Sequence, residues 1–141
     1  MPAPAPAALR AAGPADAEAL AAFNVAMALE TEHLQLLPDV VLAGVRRVLE
    51  DPSLGYYLVA ERGGQAVAGL LVTTEWSDWR NGRFWWIQSV YVVPAARRQG
   101  LFRALYDHVW QLALQSTDVC GVRLYVERDN TPAQATYRGL G

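Results

Sequence analysis

The segment VYVVPAARRQGLFRALY, from Val90 to Tyr106, changes character several times within one short run. It opens with the β-branched and aromatic residues of a strand and stops at Pro94, whose missing N–H cannot continue a ladder. Two arginines and a glycine follow. Apolar residues then recur at 101, 105, 109, 112 and 113, the spacing of one helical face reaching Gln115 or so. A strand, a basic turn and a helix start therefore lie end to end. The first N–H groups of a helix have no partners inside it and, with the macrodipole, attract anions. Arg97, Arg98 and Gly100 add up to two guanidiniums and a residue without a Cβ, an arrangement suited to a pyrophosphate. A plain turn with solvated arginines has the same spacing, so the two readings stand side by side at this point.

Working outward from this segment, strand periods dominate on its N-terminal side. RFWWIQSVYVV is the longest strand candidate, preceded by a turn from Ser77 to Gly82. Before it, YYLVAER and AVAGLLVTTEW flank Arg62-Gly63-Gly64-Gln65 and read as a β-hairpin, because Gly-Gly readily supplies positive φ. Two helices are expected earlier, one starting at Pro14 with Asp16 and Glu18 in its first turn, the other following Pro38. A short strand lies near Leu9, and residues 1 to 6 form a loose Pro/Ala tail. On the C-terminal side, GVRLYVE from Gly121 to Glu127 is a strand, and Asn130-Thr131-Pro132 opens a last helix from Ala133 to Arg138. The order is β-α-α-β-β-β-α-β-α, a mixed α/β single domain.

Composition narrows the chemistry. A chain of 141 residues, 52% hydrophobic and 18% charged, fits one globular domain with a real core. The net charge of −2 gives no general attraction to nucleic acid or an anionic membrane, so recognition of phosphate has to be local. All twelve basic residues are arginine, which removes Schiff-base chemistry and a P-loop lysine. Cys120 is the only cysteine, so there is no internal disulfide and no Cys/His spacing for zinc; no metal site is expected, and a reducing cytoplasm suits the chain. No secretory leader or membrane span is expected, since no segment approaches roughly 18 uninterrupted apolar residues. No Gly-x-Gly-x-x-Gly follows a strand, which sets aside a Rossmann site.

The run Val90-x-Val92-x-Pro94-x-x-Arg97-x-x-Gly100 resembles the acetyl-CoA-binding motif of the GCN5-related N-acetyltransferase (GNAT) superfamily, with Arg97-Arg98-Gln99-Gly100-Leu101-Phe102 matching its Q/R-x-x-G-x-G/A loop. A second match follows at the family's spacing, with Asn130 after the LYVE strand and Tyr137 in ATYRGLG. The resemblance covers residues 84 to 141 closely and implies a single GNAT-like domain over 7–141, a mixed central sheet flanked by helices. Family members usually continue past this point with further strands, so the chain reads as C-terminally incomplete, and a missing strand would leave a sheet edge that a homodimer would cover.

What the resemblance implies for the site is specific. Acetyl-CoA is the expected cofactor, its arm bonding to the backbone of Val90, Tyr91 and Val92 where a bulge parts this strand from the next. Its pyrophosphate would meet Arg97, Arg98, Gln99, Gly100, Leu101, Phe102 and Arg103; Phe102 departs from the family's Gly or Ala there. Asn130 would bond the cofactor arm. Tyr137 is the expected catalytic acid for the leaving thiolate, and a backbone N–H near Val90 would hold the developing oxyanion. The family's usual glutamate base is replaced by Gln88, which cannot take a proton. The implied activity is acetyl transfer to a primary amine of a small molecule or peptide by direct attack in a ternary complex; the alternative is a domain that binds acetyl-CoA without turning it over. ETEHLQLLPD and EWSDWRNGRFWW sit where acceptor specificity varies in the family, and their acids and indoles suggest attraction of a cationic amine, although tryptophans are also good core residues.

Overall fold

The computed structural model describes residues 6–124. In chain order these form β1 (Ala8–Ala11), α1 (Ala17–Glu32), α2 (Pro38–Glu50), β2 (Tyr56–Arg62), β3 (Gln65–Ser77), β4 (Gly82–Val92), α3 (Leu101–Gln115) and β5 (Val119–Leu124). The sheet order is β1-β2-β3-β4-β5, antiparallel through β4 and parallel between β4 and β5. The expected mixed α/β architecture is present. β5 begins at Val119 rather than Gly121, and the expected last helix, with Asn130 and Tyr137, lies outside the described residues.

Alternation along the strands builds two cores. Leu58, Ala60, Leu70, Val72 and Ile87 face α3 and pack on its buried Leu101, Leu105 and Val109. Tyr57, Val59 and Tyr91 face the other way and are covered by Leu20, Phe23 and Val45 of α1 and α2. Helices on both faces keep both sides of the central strands dry, and burial of these side chains is the main stabilising term.

Local chemistry sets the ends of the elements. A 3-10 turn, Pro14–Asp16, leads into α1, and the buried Asp16 carboxylate accepts the Gly13 N–H at 2.7 Å and both arms of Arg10 at 2.7 and 2.9 Å. α1 stops where His33 turns left-handed, φ 53°, and its N–H bonds back to Ala28. Pro38 then occupies the first turn of α2, where no N–H is needed. At the far end of the sheet Gly121 allows a close approach, since a Cβ there would lie 2.8 Å from Cε1 of Phe84.

Candidate active site

β3 and β4 pair regularly from Ser77 opposite Gly82 to Leu71 opposite Gln88, and then the register slips so that Gly69 faces Tyr91. Leu70 is thus opposed by two residues, Ser89 and Val90, which is a β-bulge. Ser89 takes the extra step in the left-handed region, φ 54°. The bulge also rephases the side chains. Ile87 packs on the α3 side, yet so do Val90 and Val92, while Tyr91 goes under α1. On the other edge of β4, pairing with β5 is described up to Ile87 opposite Leu124. The bulge at Ser89 stands two residues past Ile87.

β4 runs through a 3-10 turn, Pro94–Ala96, into the basic loop. Arg98 and Gly100 are both left-handed, φ 63° and 77°, and alternating left-handed residues curl successive amides toward one point. Among the described residues, none of the amides of Arg98, Gln99, Gly100 and Leu101 donates to a backbone carbonyl. A Cβ at Gly100 would meet nothing within 4 Å, so glycine is required there by its φ rather than by crowding. Leu101 is buried in the α3 core, and the Phe102 ring lies along the helix 6.1 Å from Tyr106. Arg103 is well exposed and only 3.9 Å from Asp107.

The side chains of this loop are not all directed at one task. Arg97 donates to Val92 O at 2.9 Å and to Glu30 Oε2 at 2.8 Å, and lies over the Tyr91 ring at 5.4 Å. Tyr91 Oη donates to the other oxygen of Glu30 at 2.9 Å. Arg97 holds the Glu30 carboxyl below the usual carboxylate range, with Tyr91 adding to the effect and partial burial opposing it. The result is a strut from the last turn of α1 to the start of the loop. A second tie comes from the hairpin, where Arg62 Nη1 donates to Gln99 Oε1 at 2.7 Å.

On the α1/α2 side of the sheet, beside the bulge, Gln88 Nε2 donates to Thr73 Oγ1 at 2.6 Å, and Trp86 Nε1 donates to Glu75 Oε1 at 2.7 Å. Arg123 lies 3.6 Å over the Phe84 ring and 5.5 Å over Trp86, and Arg80 stands 5.2 Å over the same Phe84 ring. Among the described residues no group of His, Cys, Asp and Glu could hold a metal ion, and no helix is long and apolar enough to cross a membrane.

Val90, Tyr91, Val92 and the run from Arg97 to Arg103 are therefore contiguous along one path from bulge to helix start; Asn130 and Tyr137 are outside the described residues. Sequence reasoning missed Ser89 as the bulge residue and Glu30 and Arg62 as anchors of the loop. Nothing local marks them, because each acts through a partner more than thirty positions away or through a register slip.

The fold is shared with known proteins. The model of the acetyltransferase (GNAT) family matches residues 21–141, and the chain belongs to that family. A possible acetyltransferase from Clostridium difficile 630 is 41% identical and superposes with a TM-score of 0.90, over 96% of this chain and 90% of that one. Two more distant structures share the fold. The ribosomal-protein-alanine N-acetyltransferase of Brucella melitensis biovar Abortus 2308 is 16% identical, with a TM-score of 0.76 over 94% of this chain and 89% of that one. The aminoglycoside N-acetyltransferase AAC(6')-Iy, solved in complex with CoA, is 16% identical, with a TM-score of 0.77 over 100% of this chain and 90% of that one. Among curated proteins there is no match.

Proposed function

We propose that the protein transfers the acetyl group of acetyl-CoA to a primary amine of a small molecule or peptide, by direct attack while both are bound. The observation that carries this reading is the bulge at Ser89–Val90 followed, at the next turn, by amides without backbone partners among the described residues. The residues present fit the cofactor. Arg98 and Gly100 are left-handed, a backbone form that suits an anion-binding nest, and the space beside Gly100 is open. Acetyl-CoA supplies an acyl carbon activated as a thioester. The amides from Arg98 to Phe102, with the exposed Arg98 and Arg103 side chains, would hold the diphosphate, and Arg97 would act through the loop it anchors. The Val90 N–H would stabilise the developing oxyanion, Asn130 would bond the cofactor arm, and Tyr137 would return a proton to sulfur. Because the protein contains no lysine, no ε-amine of its own competes as acceptor.

A second reading, a domain that binds acetyl-CoA without turnover, is favoured by one observation: Gln88, an amide held by Thr73, stands where a carboxylate base would be. Thiol release from acetyl-CoA in the presence of an amine panel separates the two. Tyr137→Phe is expected to lower kcat about 10²-fold, within the usual range for one acid–base group, and to leave CoA binding intact. CoA binding with no thiol release from any amine would leave only the binding domain.

A further inference from the structure

Several of the aromatic rings and carboxylates that would welcome a positively charged acceptor are already engaged by the protein's own arginines. Glu30 is held by Arg97, and the Trp76, Phe84 and Trp86 rings lie under Arg83, Arg80 and Arg123. The hydrogen-bonding balance on this surface runs the other way. A guanidinium carries five donors. Among the described residues the Arg80 guanidinium has no carboxylate within ion-pair distance and donates to no side chain, even with Asp78 in the same turn, while the Arg80 backbone N–H donates to Ser77 Oγ at 3.2 Å. Among the described residues Arg123 has one long carboxylate contact, 3.8 Å to Glu75, whose nearer oxygen is already taken by the Trp86 indole. Arg83, by contrast, is paired with Asp118 at 3.0 Å.

Two guanidiniums thus lie over one ring, Arg123 closely at 3.6 Å and Arg80 at 5.2 Å, with most of their donors unused among the described residues. Stacking fixes a planar guanidinium in advance, which favours recognition of a carboxylate or phosphate by paired N–H bonds. Their place in the fold makes this surface part of the acceptor side. Arg123 pairs with Trp86, three residues before Ser89, and at ~3.3 Å per residue that is about 10 Å along β4 from the bulge. Phe84, Trp86 and Gln88 alternate onto one face, and their cross-strand neighbours Glu75, Thr73 and Leu71 share it.

We propose that the acceptor amine carries an anionic group, carboxylate or phosphate, roughly 10–16 Å from the reacting nitrogen along β4, the reach from Ser89 to Trp86 and Phe84, and that Arg80 and Arg123 bind it beside the Phe84 ring. The assignment rests on the acetyl-transfer reading for what the acceptor does, but the anion site itself is testable by binding. Both are measured with short peptides of equal length and free N-termini carrying Asp, phosphoserine, Gln or Lys at the third, fourth or fifth position, together with a small amino-carboxylate of matching reach. Thiol release and calorimetric binding to the CoA-saturated protein are recorded for each. The acidic peptides are expected to exceed the Lys peptide about tenfold in kcat/KM and in affinity, with the advantage falling as salt rises. Arg80→Gln, in the exposed hairpin turn, should remove much of that preference, and Arg80→Glu should reverse it, each leaving the KM for acetyl-CoA within about twofold. Arg123→Gln should act like Arg80→Gln, and Arg80 alone suffices if that variant does not fold. A small amino-carboxylate outperforming every peptide would place the anion on a small molecule. Thiol release with no charge preference, or with the Lys peptide favoured, overturns the anion site and leaves acetyl transfer standing. Arginine-dependent binding of acidic peptides without thiol release does the reverse. Absence of both binding and charge preference removes the anion site.

Discussion

Glu30 accepts hydrogen bonds from Tyr91 and Arg97 at once, and so joins the end of α1 to the loop where the cofactor's diphosphate would sit. If the pair positions that loop, Glu30→Gln should raise the KM for acetyl-CoA about three- to tenfold while kcat stays within twofold, and Glu30→Asp should restore part of it. A change confined to thermal stability would assign the pair to the fold alone. The pH dependence has a definite sign. The Glu30 carboxyl lies below its ordinary value in the folded chain, so its anchoring is complete above about pH 4.3 and is lost as pH falls through the depressed value. Asp16 behaves likewise, held down chiefly by Arg10 and further by the Gly13 N–H against the opposing effect of burial. Asp16→Ala should cost about 2 kcal/mol after allowance for the partly exposed Arg10, visible as a melting temperature roughly 6 °C lower at neutral pH. The difference from the parent should shrink toward strongly acid pH, and a constant difference would mean the loss is one of packing.

At the level of elements, the bulge in β4 is the feature on which the cofactor reading turns. Because it contributes one extra residue, deletion of Ser89 would leave Val90 and Tyr91 on their present faces and return the strand to regular pairing. The deletion variant is expected to fold with a normal circular-dichroism spectrum and to lose acetyl-CoA affinity at least tenfold; unchanged affinity would show that the bulge is dispensable. Ser89→Gly should be tolerated within about 0.5 kcal/mol, because glycine relieves the positive φ while costing chain entropy. The described strands and helices were legible in the sequence. Pro94 and Pro38 marked a strand end and a helix start, Gly63-Gly64 marked the hairpin, and the heptad-like spacing from Leu101 marked α3. The bulge was expected only from family resemblance. Neither Ser89 nor Arg98 advertises a left-handed φ, because that conformation is imposed by tertiary packing rather than by residue type. The acids before Pro38 looked like a lure for a cation, and only the fold shows that Glu30 already has its guanidinium.

For the whole molecule, a ligand that binds the folded chain must stabilise it by mass action. CoA at a hundred times its dissociation constant should add about 2.7 kcal/mol, read as a concentration-dependent rise in melting temperature, and no shift at saturating CoA would count against the cofactor site. The sheet has a further consequence in its wiring. β2, β3 and β4 are joined by tight hairpins, whereas β5 reaches β4 only after the chain has crossed over through α3. During synthesis, which delivers the N-terminal part first, the meander can assemble before Val119 has left the ribosome. A cofactor seated beside β4 as proposed would have only one wall until then, so a nascent chain would gain that capacity only once β5 had joined the sheet.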